Sequence, residues 1–129
     1  MSDRFLKAKS YEFALRIVSA VQDLQLSHGE TVITKQLLWT GTNIGAHIAE
    51  AQDEANEGSH SSVARMKAAS KEARECLYWL SLLKDSDILE ETLADELILD
   101  VEELIQLVSS TLEIRRNRIS LDPSRITQH

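Results

Sequence analysis

A chain of 129 residues can bury one sizeable core but hardly two, so a single domain is expected. With 43% apolar and 27% charged residues, one proline and four glycines, the composition disfavours a strand-and-turn protein and favours helices. A net charge of −7 argues against strong non-specific binding to nucleic acid, and no apolar run approaches the length of a membrane span.

The first residues carry charge without a long apolar run, so no secretory signal is expected. The single cysteine, Cys76, cannot form an internal disulfide, which suits a reducing cytoplasm.

Helical periodicity predicts four amphipathic segments. The first runs from Ser10, read as an N-cap, to Leu26, with Phe13, Ala14, Ile17, Val18, Val21 and Leu24 inward. The second runs from Val32 to Ala55, with Ile33, Leu37, Gly41, Ile44, Ile48 and Ala51 inward. The third spans Ser62 to Lys84, burying Met66, Ala69, Ala73, Leu77, Leu80 and Leu83. Asp85 to Asp87 offer an N-cap for the fourth, which runs to Arg118 with Leu97, Ile98, Val101, Leu104, Ile105, Val108 and Leu112 inward. Short connections between four such helices imply an all-α, up-down-up-down antiparallel bundle over residues 1–118, followed by a loose tail over 119–129.

The second helix contains "GTNIG", and each interior glycine costs about 1 kcal/mol relative to alanine. The spacing is not that of a phosphate loop, and no lysine follows it. Gly41, Gly45 and Ala49 instead form a ridge of small residues every fourth position. Folding about Glu57 and Gly58 would set Gly41 against Ala73 and Gly45 against Ala69, a close crossing of the second and third helices.

"QLLWTGTNIGAHIAEA" (Gln36 to Ala51) and "KAASKEARECLYWLSLL" (Lys67 to Leu83) together resemble the 23S ribosomal RNA intervening-sequence protein family. The family pattern falls on Gln36, Leu37, Gly41, Ile44, Ile48, Ala49, Glu50 and Ala51, then on Lys71, Glu72, Glu75, Tyr78, Trp79 and Leu80. Two positions depart from it: Asn43 stands where serine is usual and His47 where asparagine is usual. The resemblance implies a four-helix bundle without general enzymatic activity that assembles into a ring of five. The chain is also similar to accessory proteins of diversity-generating retroelements, which bind nucleic acid beside a reverse transcriptase.

Chemistry is sparse. Asn43, His47, Glu50 and Glu54 share a stripe read as the outer face of the second helix. His47 and Glu50 could supply two metal ligands, but a carboxylate-bridged di-metal bundle needs the Glu-x-x-His motif twice with two further glutamates. A solvated or interface stripe is the simpler reading, with no metal or cofactor. Cys76 lies on the inward arc and reads as a small buried thiol.

One end of the bundle collects eight basic residues, Arg4, Lys7, Lys9, Arg65, Lys67, Arg115, Arg116 and Arg118, against seven acidic ones. Contacts to structured RNA or DNA would fall on Arg65, Lys67, Lys71, Arg74, Arg115, Arg116 and Arg118. The near balance of charge weakens that expectation. Trp39, Ala46, Tyr78, Trp79, Leu82, Leu99, Leu107 and Ile114 lie outside the inward stripes. They predict a homo-oligomer interface.

Overall fold

The computed structural model describes residues 3–53 and 60–121. Among these there are four α-helices and no strand: α1 (Asp3–His28), α2 (Val32–Asp53), α3 (His60–Asp85) and α4 (Glu91–Leu121). The predicted end of the second helix at Ala55 and the turn at Glu57 and Gly58 lie outside the described residues.

Local chemistry sets the boundaries. Gly29, with φ 68°, ends α1 in the left-handed conformation that glycine adopts without a Cβ clash. Its amide donates to the Gln25 carbonyl at 3.2 Å. The next residue, Glu30, then starts α2 by accepting hydrogen bonds from the amides of Val32, Ile33 and Thr34 at 2.9–3.0 Å. Donation from Ile33, with help from Thr34 and Val32, holds the Glu30 carboxyl below the usual carboxylate range.

The turn after α3 corrects the sequence reading. Asp87 does not cap α4 but takes the left-handed position that closes α3, with φ 60°. The amides of Asp87 and Ile88 donate back to Lys84 and Leu83, completing a Schellman end. Glu90 is the cap of α4, its carboxylate accepting from the amides of Thr92 and Leu93 at 3.0 Å. α4 runs past the predicted Arg118 to Leu121.

Ser10 is likewise no cap. It is a buried residue inside α1, and its hydroxyl donates to the Lys7 carbonyl at 3.0 Å. Starting α1 at Asp3 puts Leu6 into the core and brings Asp3 to the end of α4.

The helices pack in cyclic order, α1 on α2, α2 on α3, α3 on α4, with the α1–α4 seam the lightest. Gln25 meets Thr34 at one end, while Gln52 donates to the Asp3 carbonyl at the other. Ser62 of α3 meets the Ala51 carbonyl of α2, and Arg115 of α4 meets both Ser62 and Asp3. Those meetings make successive helices antiparallel.

The inward stripes fill one core, in which Ile17, Leu37, Ile44, Ile48, Met66, Ala69, Ala73, Leu80, Leu97 and Val101 are fully buried. Leu89 and Ala94 join them from the α3–α4 turn and the first turns of α4.

The glycines serve a different crossing from the one predicted. A Cβ on Gly41 would stand 2.9 Å from both Cγ atoms of Ile17, and a Cβ on Gly45 would stand 3.4 Å from Ser10 Oγ. Both neighbours belong to α1. The small ridge of α2 therefore faces α1, not Ala69 and Ala73 of α3. Spacing by four shows that a helix can approach closely; it does not say which of two flanking helices does so.

Candidate interaction surfaces

The same small residues leave a groove open to solvent. Thr42, Gly45, Ala46 and Ala49 of α2 lie opposite Ala8, Ser10, Tyr11 and Ala14 of α1, bounding a hollow of about 580 Å³ whose walls are mostly apolar. Short side chains on both helices cannot fill the angle between them, so the groove follows directly from the ridge. Arg4 and Lys7 stand at its rim. Nearby on the sequence of each helix, Trp39 is 65% exposed and Leu15 54% exposed. Ala49, predicted to sit in the α2–α3 crossing, is half-buried in this groove instead.

Most of the predicted interface set is exposed. Tyr78, Leu82, Leu99 and Ile114 lie on the outer faces of α3 and α4, and Ala46 lines the groove. Trp79 and Leu107 depart from the expectation: both are partly buried and pack against the core. The Trp79 ring meets Tyr78 edge-on at 5.1 Å between centroids.

The basic residues divide in a similar way. Lys67, Lys71 and Arg74 are exposed on α3, recur at helical spacing with Tyr78, and make no ion pair among the described residues. Arg116 and Arg118 are exposed near the end of α4. Arg65 is tied to Glu50 at 3.1 Å, the charge partner that acids near the end of α2 require.

Arg115 is not a surface contact at all. It is 1% exposed, with its guanidinium donating to Ser62 Oγ and, at 2.9 Å, to Asp3 Oδ2. A buried guanidinium needs such partners, and here they arrive from α1 and α3.

The Asn43–His47–Glu50 stripe is also not an outer face. Asn43 and His47 are half-buried, and both lie near Glu72 of α3. Glu54 lies outside the described residues. Burial pushes the Glu72 carboxyl above the usual carboxylate range, and the negative charge of Glu75 adds to this; His47, Asn43 and Lys71 oppose it. Among the described residues no group of three or more His, Cys, Asp or Glu side chains could hold a metal ion. Cys76 is buried beside Thr40, and desolvation pushes its thiol up to about 12, far from nucleophilic use.

At the far end of the bundle, Asp85, Asp87, Glu90 and Glu91 surround a shallow hollow with Lys84, an acidic surface apart from that one lysine. No described helix is long and apolar enough to cross a membrane.

Comparison with known proteins agrees with the motif reading. The chain is 34% identical to a crystallised protein of unknown function from the S23 ribosomal protein family of Bacteroides thetaiotaomicron VPI-5482, with a TM-score of 0.78. The match covers 83% of this chain and 97% of that one. No curated protein matches. The model of the 23S rRNA-intervening sequence protein matches residues 5–110, which span α1, α2, α3 and most of α4. The chain belongs to the 23S rRNA-intervening sequence protein family.

Proposed function

We propose that this chain is a non-catalytic bundle that acts as a binding scaffold in the cytoplasm by assembling with copies of itself into a ring, five subunits by family resemblance. The observation that carries this reading is the apolar groove between α1 and α2, together with Trp39 and Leu15, which are exposed on the same two helices. A second apolar set, Tyr78, Leu82, Leu99 and Ile114, lies on the outer faces of α3 and α4. Two different apolar surfaces on one subunit favour head-to-tail contacts, which close into rings when the rotation permits. A thiol as buried as Cys76 and a core of aliphatic side chains supply no nucleophile, which supports a role in binding rather than catalysis.

Light scattering at micromolar concentration tests the proposal. It expects a mass several times that of the 14.5 kDa chain, and a monomer would overturn it. Trp39→Glu is expected to shift the assembly toward smaller species. An unchanged size would remove Trp39 from the interface.

A second reading, an accessory protein that binds structured RNA or DNA or a reverse transcriptase, is favoured by one observation. Lys67, Lys71 and Arg74 are exposed in one stripe with Tyr78 and are not neutralised by an ion pair among the described residues. Phosphate contacts of this kind make binding fall steeply with salt. A labelled ribosomal RNA fragment whose binding weakens with salt, and weakens uniformly in Lys71→Glu, would establish it.

A further inference from the structure

The groove between α1 and α2 has a cationic rim. Arg4 and Lys7 stand at its edge, and neither forms an ion pair among the described residues. Its lining is short: Ala8, Ala14, Gly45, Ala46 and Ala49 leave room between two helices for an apolar side chain carried by a third. The occupant that fits is therefore an apolar residue on a helix, with negative charge one turn away.

The chain has two exposed apolar faces on α3 and α4, and charge separates them. On α3, Tyr78 and Leu82 share their stripe with the cations Lys67, Lys71 and Arg74 as well as the acids Glu75 and Asp85. On α4, Leu99 is 67% exposed, and its neighbours one turn away in either direction are all acidic: Asp95, Glu96, Glu102 and Glu103. Asp95, Glu96 and Glu103 are engaged within the subunit by Lys84, Arg16 and Lys9. Glu102 is exposed and has no ion pair among the described residues. Ile114, the other exposed apolar residue of that face, has Arg118 one turn on and lacks this acidic surround.

We propose that the groove seats α4 of a second copy, with the partner's Leu99 between the two helices and the partner's Glu102 beside Lys7 and Arg4. The proposal rests on the reading of the groove as an assembly surface and names the face that enters it. It also fixes a direction. Lys7 lies one turn before Tyr11 on α1, about 6 Å along the axis, and Glu102 lies one turn after Leu99 on α4, about 4.5 Å along. An α4 laid antiparallel to α1, with Leu99 level with Tyr11 and Ala46, brings those opposite charges together. Burying Leu99 supplies the apolar gain, and the rim charges set register and orientation. Each subunit then uses its groove for one neighbour and its α4 for another, the head-to-tail pattern that closes rings.

Cysteine cross-linking of the full chain tests which face enters the groove. Chains carrying Ala46→Cys and chains carrying Leu99→Cys are co-expressed and oxidised. Both positions are exposed, and the native Cys76 is buried and does not compete. A disulfide-linked dimer is expected from the mixture and from neither chain alone, and Leu82→Cys in place of Leu99→Cys is expected to give none. An intact assembly without the link between positions 46 and 99 overturns the proposal. So does linking through Leu82→Cys, or of Ala46→Cys to its own copy as in a symmetric groove-on-groove pair. Each of these leaves assembly itself standing, whereas a wild-type chain that scatters light as a monomer overturns the assembly reading and this proposal with it. Charge reversal tests the rim. Lys7→Glu is expected to raise the concentration at which the assembly dissociates about tenfold, and Lys7→Glu combined with Glu102→Lys is expected to restore it. Equal weakening in the single and double variants overturns the pairing.

Discussion

Helix α1 is joined to its two neighbours by opposite means. Toward α2 the contact depends on a missing side chain: Gly41 lets the α2 backbone settle onto Ile17, whereas a Cβ at Gly45 would meet Ser10 only at ordinary contact distance. Toward α4 the seam is lighter, with a hollow of about 200 Å³ lined by Lys9, Glu12, Phe13, Arg16, Asp100 and Leu104. Long charged side chains span what apolar ones do not fill. Arg16 reaches Asp100 at 2.6 Å and Glu96 at 2.8 Å, and Lys9 reaches Glu103 at 2.9 Å. Close approach has to be written into the sequence as small residues at a fixed spacing. A wide seam needs only reach and opposite charge.

The α1–α4 seam has one contact of a different kind, and breaking it should have the largest effect. Arg115 ties Asp3 of α1 to α4 from a position 1% exposed, while Ser62 engages the same guanidinium from α3. Arg115→Ala removes the donor, leaves Ser62 and Asp3 facing a cavity, and should cost about 3 kcal/mol by urea unfolding. Asp3 keeps some access to solvent, which holds the estimate below the range of a fully buried pair. A loss under about 1 kcal/mol would mean that water replaces the guanidinium without penalty.

The α1–α2 seam can be tested by adding one methyl group at each glycine. Gly41→Ala places a Cβ 2.9 Å from two branches of fully buried Ile17, so a core side chain must move, at a cost of about 1–3 kcal/mol. Gly45→Ala meets Ser10 at 3.4–3.6 Å, ordinary contact, and regains up to about 1 kcal/mol of helix propensity. The two alanines should therefore move thermal stability in opposite directions. Equal effects would show that Gly41 is not there for packing against Ile17.

These contrasts mark what could be read in the sequence. The helices and their inward stripes were legible because 3.6-residue periodicity is a local signal; Leu37, Ile44, Met66, Leu80 and Val101 sit where it places them. The close approach at Gly41 and Gly45 was also legible, but not its partner, because a ridge of small residues fits either flanking helix. Arg115 carried no local mark of burial, since Ser62 and Asp3 lie 53 and 112 positions away. Asp87 misled for a different reason: aspartate suits both an N-cap and a left-handed position, and the sequence does not distinguish them.

The smallest effect is expected where the structure shows the most ion pairing. Arg16 is 40% exposed, and its partners Glu96 and Asp100 are 56% and 34% exposed. Water screens such pairs, and ordering three long side chains offsets much of the Coulomb attraction. Arg16→Met keeps a stem of similar length across the hollow and removes only the charge. The loss should be about 0.5 kcal/mol at low salt, because measured exposed pairs fall in that range. It should shrink further at about 1 M salt, where the screening length drops to roughly 3 Å. Gly41→Ala, whose cost is steric, should show no comparable salt dependence. Urea midpoints for both variants at low and high salt complete the comparison. A loss for Arg16→Met that exceeds about 1.5 kcal/mol and ignores salt would lie outside what exposed pairs supply. The α1–α4 seam would then depend on that arginine as tightly as the α1–α2 seam depends on its glycines.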